Sequence, residues 1–404
     1  MPRVLVVGSG FAGLWAAIGA ARRIDQLGRR ADDIEITVLT NRPFHDIRVR
    51  NYEADLSECR IPLSAVLDPV GVGHVVADVT DIDVHGRTVT AHNTGGTTTF
   101  GYHRLVLAAG SQVVRPDVPG LRDLAFDVDT FDGATRLDAH LTRLATGPTR
   151  PGIATAVVIG AGLTGIETAC ELPRRLSDVF AGAVHPRVVL VDHNPLVGSD
   201  MGASARPIIE TALSDNGIET RTGVAVTGVD KDTVTLSSGE VVVAATVVWC
   251  AGMRANLLTA QLPVTLDRLG RVPVDDYLRV EGVAGVFAAG DVAAAKMDDE
   301  HMSVMSCQHS RPMGRYAGYN VIGDLVGEPM LALRIPWYVT ILDLGPAGAV
   351  YTEGWDRQVV ATGAEAKATK TTINTARIYP PLTGSRQALF AAAGPELQSR
   401  PAHG

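Results

Sequence analysis

The chain has 404 residues, 46% of them apolar and 20% charged, with a formal net charge of −8. That length calls for two or three domains with sizeable cores, and the composition excludes a disordered chain. The balance is acidic, the only lysines are Lys231, Lys296, Lys367 and Lys370, and the arginines are scattered, which excludes a nucleic-acid footprint.

In chain order, the first predicted elements are a strand and a helix. Residues 4–21 carry no charge and approach the length of a membrane span. Gly8, Gly10 and Gly13 interrupt them at strand–turn–helix spacing, and only Arg3 precedes them as a basic residue. A buried strand and helix is therefore expected, not a signal or anchor. IEITVLT at 34–40 is a second strand, and residues 77–92 alternate around a glycine as a β-meander does. LVLAAGS at 105–111 closes this first module, and residues 144–152 form a linker.

The order then repeats. AVVIGAGLTGIETA at 156–169 copies VLVVGSGFAGLWAA at 4–17, RVVLVDH at 187–193 supplies the next strand, and residues 223–250 again alternate. VVWCAGM at 247–253 answers LVLAAGS. Two such copies imply duplication, not a solenoid. VAGVFAAGD at 283–291 is a further strand. Beyond residue 327, PWYVTILDLG and GAVYTEGW read as strands and AEAKATKTTIN as a short polar helix, while the tail from 398 to 404 is expected to be disordered.

Three of these motifs carry chemistry. In G-x-G-x-x-G at Gly8, Gly10 and Gly13, glycine allows a sharp turn and lets backbone approach a pyrophosphate. The helix that follows aims its N-terminal N–H groups at the phosphate. The second copy is Gly160, Gly162 and Gly165, and its second strand ends at Asp192, an acceptor for ribose hydroxyls. His193 and Asn194 come next, with no arginine for a 2′-phosphate, so NADH is expected over NADPH. In VFAAGD, Gly290 makes a tight turn and Asp291 offers an acceptor to the ribityl chain and pyrophosphate of a flavin.

Taken in order, G-x-G-x-x-G, L-V-L-A-x-G, G-x-G-x-x-G-x-E, A-G-M-R-x-N (with Gly252) and F-A-A-G-D make the chain resemble the two-dinucleotide flavoprotein superfamily, the pyridine nucleotide-disulfide-oxidoreductase-like fold. The resemblance spans roughly residues 1–325, and GAGLTGIETACEL and NRPFHDI are most similar to type II NADH dehydrogenases. It implies an α/β fold with two Rossmann-like domains, the NAD domain inserted in the FAD domain, and a small C-terminal α+β domain. The expected bounds are 1–150 and 256–326 for the FAD domain, 151–255 for the NAD domain, and 327–404 for a C-terminal interface or acceptor-side domain. The resemblance also places FAD pyrophosphate on Gly8, Gly10, Phe11, Ala12 and Gly13, adenine on the backbone of Val79, and the flavin beside Ala109 and Gly110. Asp291 would take the ribityl chain, Gly162, Leu163 and Thr164 the NADH pyrophosphate, and Asp192 its ribose. Glu167 would sit beside the nicotinamide as a proton relay; its plain reading is an acidic residue favoured by a helix dipole.

This sequence departs from that pattern in four places. Thr40 stands where an acidic residue usually meets the FAD ribose, so Thr40 or Asn41 is left to bond it. No close cysteine pair follows that strand, and none occurs among Cys59, Cys170, Cys250 and Cys307. Disulfide exchange, a disulfide framework and a metal site are therefore not expected, and reduced thiols fit a cytoplasmic protein. Of the quinone-side motif A-Q-x-x-x-Q only Gln308 survives, with Pro312 in the second place. Ser310 is expected to cap a helix running to about Asp324, with Pro312 in its first turn. Finally, residues 364–374 lack a wide apolar stripe, and residues 389–393 are apolar but only about a turn long, so contact with a membrane is at most peripheral.

The remaining polar residues read as structural first. Arg48 and Arg50 are at least as well explained as surface arginines as by phosphate contacts, and His45 as a packed loop residue. His301 and His309 are better placed for proton transfer, though a structural role is the first reading. Cys307 reads as a small buried side chain beside the flavin. Trp337 and Tyr338 suit either a homodimer interface or an acceptor pocket. The leading expectation is an oxidoreductase that takes a hydride from NADH through FAD to an acceptor, a quinone-like molecule first. The alternatives are a reductase of a small electron-carrier protein and a slow flavoprotein whose association NADH regulates.

Overall fold

The computed structural model describes residues 1–30 and 33–397. It opens with β1 (Arg3–Val7), α1 (Phe11–Gln26), β2 (Glu35–Thr40), β3 (Gly73–Val76) and β4 (Arg104–Leu107). β1 pairs in parallel with both β2 and β4. A strand covered on both faces must be apolar throughout, and Val4, Leu5 and Val6 are completely buried. The charge-free stretch is thus a core strand and a core helix, and among the described residues no helix is long and apolar enough to cross a membrane.

The second module repeats the plan with β5 (Thr155–Ile159), α2 (Leu163–Val179), β6 (Arg187–Asp192), β7 (Ile218–Thr222) and β8 (Thr246–Trp249). Its sheet runs β7-β6-β5-β8, all parallel. Each module carries a three-stranded antiparallel meander, over residues 78–101 in the first and 226–243 in the second. The chain then returns to the first sheet: β9 (Val286–Ala288) pairs with β4, completing the order β9-β4-β1-β2-β3. The second module is therefore an insertion.

The next helix, α3 (Cys307–Val326), lies along α1. A Cβ added at Gly314 would fall 2.3 Å from the Ala12 carbonyl oxygen, and one at Gly318 would fall 2.2 Å from that of Ala16. The two helices touch backbone to backbone, which only small residues on both sides allow. The C-terminal part is an antiparallel sheet of β10 (Val339–Asp343), β11 (Ala349–Glu353) and β12 (Gln358–Thr362), with α4 (Gly363–Thr372) packed on it. A π-turn over Ile373–Arg377 extends α4. β12 was not expected from the sequence, and the residues from 398 to 404 lie outside the described part.

Candidate active site

A cleft of about 1200 Å³ runs between the two modules and the C-terminal sheet. That exceeds the usual size for one small ligand. Both glycine turns open into it. Gly8 has φ +105°, and a Cβ there would lie 2.3 Å from the Ala108 oxygen; a Cβ on Gly13 would lie 2.0 Å from the Gly8 oxygen. The second copy has the same construction, with Gly160 at φ +105° and Gly165 against the Gly160 oxygen. Between these tight contacts a Cβ on Gly10 would meet nothing, and one on Gly162 only Asp200 at 3.4 Å. Each cradle is thus closed by packing behind and open in front, with a helix N-terminus aimed at the opening. This shape fits a dinucleotide pyrophosphate in each.

The cleft wall includes Gly8, Gly10, Phe11, Ala12, Thr40, Asn41, Val79, Ala109 and Gly110 from the first module. Gly160, Gly162, Leu163, Thr164, Glu167, Asp192 and Gly252 line it from the second, and Asp291 and Gln308 lie beyond. Gly13, Gly165 and Gly290 do not line it. Gly13 and Gly165 pack against their own turns, and Gly290, at φ +77°, against Ala12. These three shape the cradle from behind.

Several polar groups on the wall already hold one another. The Asp291 carboxylate accepts from the Ser111 hydroxyl at 2.6 Å and from that of Ser310 at 3.3 Å. The hydroxyls of Thr40 and Ser9 are bonded at 2.8 Å, and that of Ser9 also donates to the Phe44 carbonyl. Asp192 accepts from the backbone amides of Ala161 and Asn194, so its carboxylate clamps the second glycine turn as well as facing the cleft. Arg48 pairs with Asp129 and donates to Ser111 at 3.0 Å, in the wall of the cleft. Arg50 is buried against Glu53 and Tyr379. Neither is the surface arginine that the sequence suggested, because folding brings Asp129 and Ser111 to Arg48 and Tyr379 to Arg50, beside the local partner Glu53.

Glu167 stands on the first turns of α2, buried, where Oε1 accepts from Lys370 Nζ at 2.7 Å and from the Asp343 amide at 3.2 Å. Burial raises its pKa against the opposing pull of Lys370. Burial works to lower the Lys370 pKa, but the Glu167 carboxylate outweighs it and raises it. Lys370 comes from α4, and its ammonium also donates to the Ile341 carbonyl at 3.2 Å. Asp343 in turn takes the Tyr52 hydroxyl at 3.2 Å and the Lys367 ammonium at 2.5 Å. All three parts of the chain therefore meet in one charged network at the cleft. Sequence reading missed Lys370, since a lysine on a short polar helix reads as solvated.

α3 begins four residues earlier than expected. Ser306, not Ser310, is its cap, and the Ser306 hydroxyl accepts from the His309 amide. Pro312 therefore sits in the second turn, not the first, where its missing N–H leaves the Gln308 carbonyl without its helical donor. The Gln308 side chain lines the cleft, and its Nε2 is buried without a partner. Cys307 and Cys250 also line it, and burial raises both thiols.

The three histidines weighed in the sequence, His45, His301 and His309, each make contacts within the protein. His45 is buried with Nδ1 2.8 Å from the Ser9 carbonyl, and burial lowers its pKa to about 4. His309 is buried away from the cleft wall, with Nδ1 taking the Val304 amide at 2.8 Å, and burial lowers it to about 4 as well. His301 pairs with Asp298 and stacks on Trp355, which stacks in turn on Tyr338. Trp337 and Tyr338 both line the cleft.

The family model described as pyridine nucleotide-disulphide oxidoreductase matches residues 2–314. An NADH dehydrogenase-like protein of Mycobacterium tuberculosis is 68% identical, over 99% of this chain and 100% of that protein. The type II NADH:quinone oxidoreductase Ndh of the same organism is 30% identical, over 73% of this chain and 67% of that one. Among solved structures, NDH2 of Plasmodium falciparum in complex with NADH is similar in fold, with a TM-score of 0.77 at 12% identity over 97% of both chains.

Proposed function

The chain belongs to the pyridine nucleotide-disulphide oxidoreductase family, and from that premise we propose that it oxidises NADH through FAD and passes the electrons to a quinone-like acceptor. The carrying observation is that two phosphate cradles of the same build open into one cleft large enough for two dinucleotides. The names of the relatives favour NADH as donor and a quinone as acceptor.

FAD, when bound, supplies a two-electron carrier between nicotinamide and acceptor. The chain supplies position and charge. The N-terminal amides of α1 would hold the first pyrophosphate, with Gly8, Gly10, Phe11 and Ala12 around it, and Asp291 would offer its carboxylate to the ribityl chain. The amides of Gly162, Leu163 and Thr164 would hold the second pyrophosphate. Asp192, fixed by its two amide bonds, would meet the ribose hydroxyls, and His193 and Asn194 follow it where an arginine would serve a 2′-phosphate, which favours NADH over NADPH. The Glu167 carboxylate, held through Oε1 by Lys370 and the Asp343 amide, would offer a proton site beside the nicotinamide. Trp337 and Tyr338 wall the acceptor side. The net change is NADH, one solvent proton and a quinone going to NAD⁺ and a quinol.

The test is direct. The purified protein should carry FAD, and anaerobic NADH should bleach its visible absorbance while NADPH does so far more slowly. A colourless protein that takes up no FAD, or a yellow one that NADH leaves unchanged, overturns the reading.

A further inference from the structure

The turn between β11 and β12 puts Arg357 in the wall of the cleft. This residue lies beyond the stretch that the family model matches. Its φ is +59°, a left-handed backbone that glycine takes freely and a side chain resists. Neighbouring segments fix it there. The Ser204 hydroxyl donates to the Arg357 carbonyl at 2.8 Å and accepts from the Val359 amide at 3.1 Å. A Cβ on Gly202 would fall 2.8 Å from the Arg357 Cβ. The guanidinium lies over the Tyr338 ring, 4.5 Å from its centre, and Nη1 donates to the Thr340 hydroxyl at 3.1 Å.

These contacts bracket the second cradle. On one side, Gly202 follows closely on Asp200, whose carboxylate stands 3.4 Å from where a Cβ on Gly162 would lie. On the other, Thr340 belongs to β10, and the Asp343 amide at the end of that strand bonds Glu167, on α2 one turn past Leu163. The amides at the start of α2 and the Arg357 side chain thus open into the same part of the cleft. Among the described residues no carboxylate pairs with Arg357, and the Nε–Nη2 edge, away from Thr340, keeps open surface. That edge is the fork that takes two oxygens of a phosphate. A half-buried cation with an open fork and no anion of its own suits an anionic ligand.

We propose that Arg357 binds the nicotinamide nucleotide: with NADH in the second cradle, its Nε–Nη2 edge meets the pyrophosphate oxygens that the α2 amides leave free. This rests on the reading that the second cradle takes NADH. The C-terminal sheet then recognises NADH together with the inserted module, and the arginine keeps its strained backbone because the side chain is used.

The experiment titrates FAD-saturated protein, freed of excess FAD, with ADP-ribose, which carries the pyrophosphate of NADH and no nicotinamide. Calorimetry reads its Kd, and anaerobic stopped flow reads the apparent Kd and the limiting rate of flavin bleaching by NADH. Arg357→Gln should raise both Kd values about tenfold, the worth of one charge-assisted hydrogen bond, and change the limiting rate by less than about twofold. Arg357→Gly, which suits the left-handed backbone, should lose the same affinity, so that the loss is not laid to a distorted turn. Arg357→Lys, which keeps the charge but not the fork, should keep part of it. The wild-type Kd should also rise more steeply with salt than that of Arg357→Gln. An ADP-ribose Kd unchanged in Arg357→Gln and Arg357→Gly overturns the proposal, as does wild-type protein that binds no ADP-ribose, or a limiting rate that falls while both Kd values hold. Should NADH fail to bleach the bound flavin, the underlying reading falls instead, and the ADP-ribose titration still judges Arg357 because it needs no turnover.

Discussion

Replacing Lys370 by methionine removes the cation from a buried carboxylate and keeps most of the side chain's volume. Glu167 then has two choices: remain ionised without its partner, or take up a proton. Breaking a buried pair from one side costs about 3–5 kcal/mol. Protonation caps that cost. Relative to an ordinary Glu pKa of 4.5, keeping the group neutral at pH 7 costs about 3.4 kcal/mol, and at pH 5.5 about 1.4 kcal/mol, at roughly 1.36 kcal/mol per pH unit. The sign follows from the raised folded-state pKa: the variant loses stability as pH rises and regains it as pH falls. Urea unfolding of Lys370→Met beside wild type, with FAD in constant excess, should therefore show a deficit near the first figure at pH 7 that shrinks toward the second at pH 5.5. Adding Glu167→Gln to the variant should remove the pH dependence. A deficit under about 1 kcal/mol at pH 7, or one that does not change with pH, would mean that Glu167 is solvated and the network holds little.

Three further outcomes follow from geometry already described. Gly8→Ala forces a side chain into a left-handed backbone and against the Ala108 oxygen; about 2–3 kcal/mol of strain should cut FAD affinity by on the order of 100-fold, measured as flavin retained on gel filtration, and full retention would refute the cradle. Burial depresses His45 and His309 to about 4, so the folded state holds fewer protons than the unfolded one between that pH and 6.5. Stability from these two groups is complete above 6.5 and falls with pH, by about 1.4 kcal/mol each at pH 5.5; urea midpoints that do not move between pH 7.5 and 5.5 would contradict this. Ser306→Ala removes the cap of α3 and should cost about 1 kcal/mol, whereas Ser306→Asp, which keeps a side-chain acceptor there, should retain most of the stability; equal losses in the urea midpoint for the two variants would refute the cap assignment.

What was legible in the sequence was local. The main strands of both modules and their glycine turns could be read because each is written in a few consecutive residues, and the repeat told which correspond; the insertion came from the family resemblance, and the strands at 73–76 and 218–222 were not read. What was not legible depends on distant chain. Lys370 meets Glu167 across 203 positions, and nothing near Lys370 announces a buried partner. Arg48 and Arg50 looked solvated for the same reason. The start of α3 was misplaced because two serines four residues apart both suit a cap, and Pro312 drew the choice toward the later one. β12 was overlooked because only five residues form it, and their pairing with β11 gives them their place. Gly13, Gly165 and Gly290 sit in phosphate-binding motifs yet work by packing, a distinction that needs the position of the neighbouring backbone.

The return of β9 to β4 has a consequence for biosynthesis. The sheet begun by residues 3–7 is finished only by residues 286–288, and α1 finds its neighbour only when residues 307–326 have left the ribosome. The inserted module has its strands and helices in one continuous stretch, so it matures first, while the N-terminal strands wait with an uncovered edge. A nascent chain halted before β9 is thus a vulnerable species, open to chaperones and proteases until its last third is made.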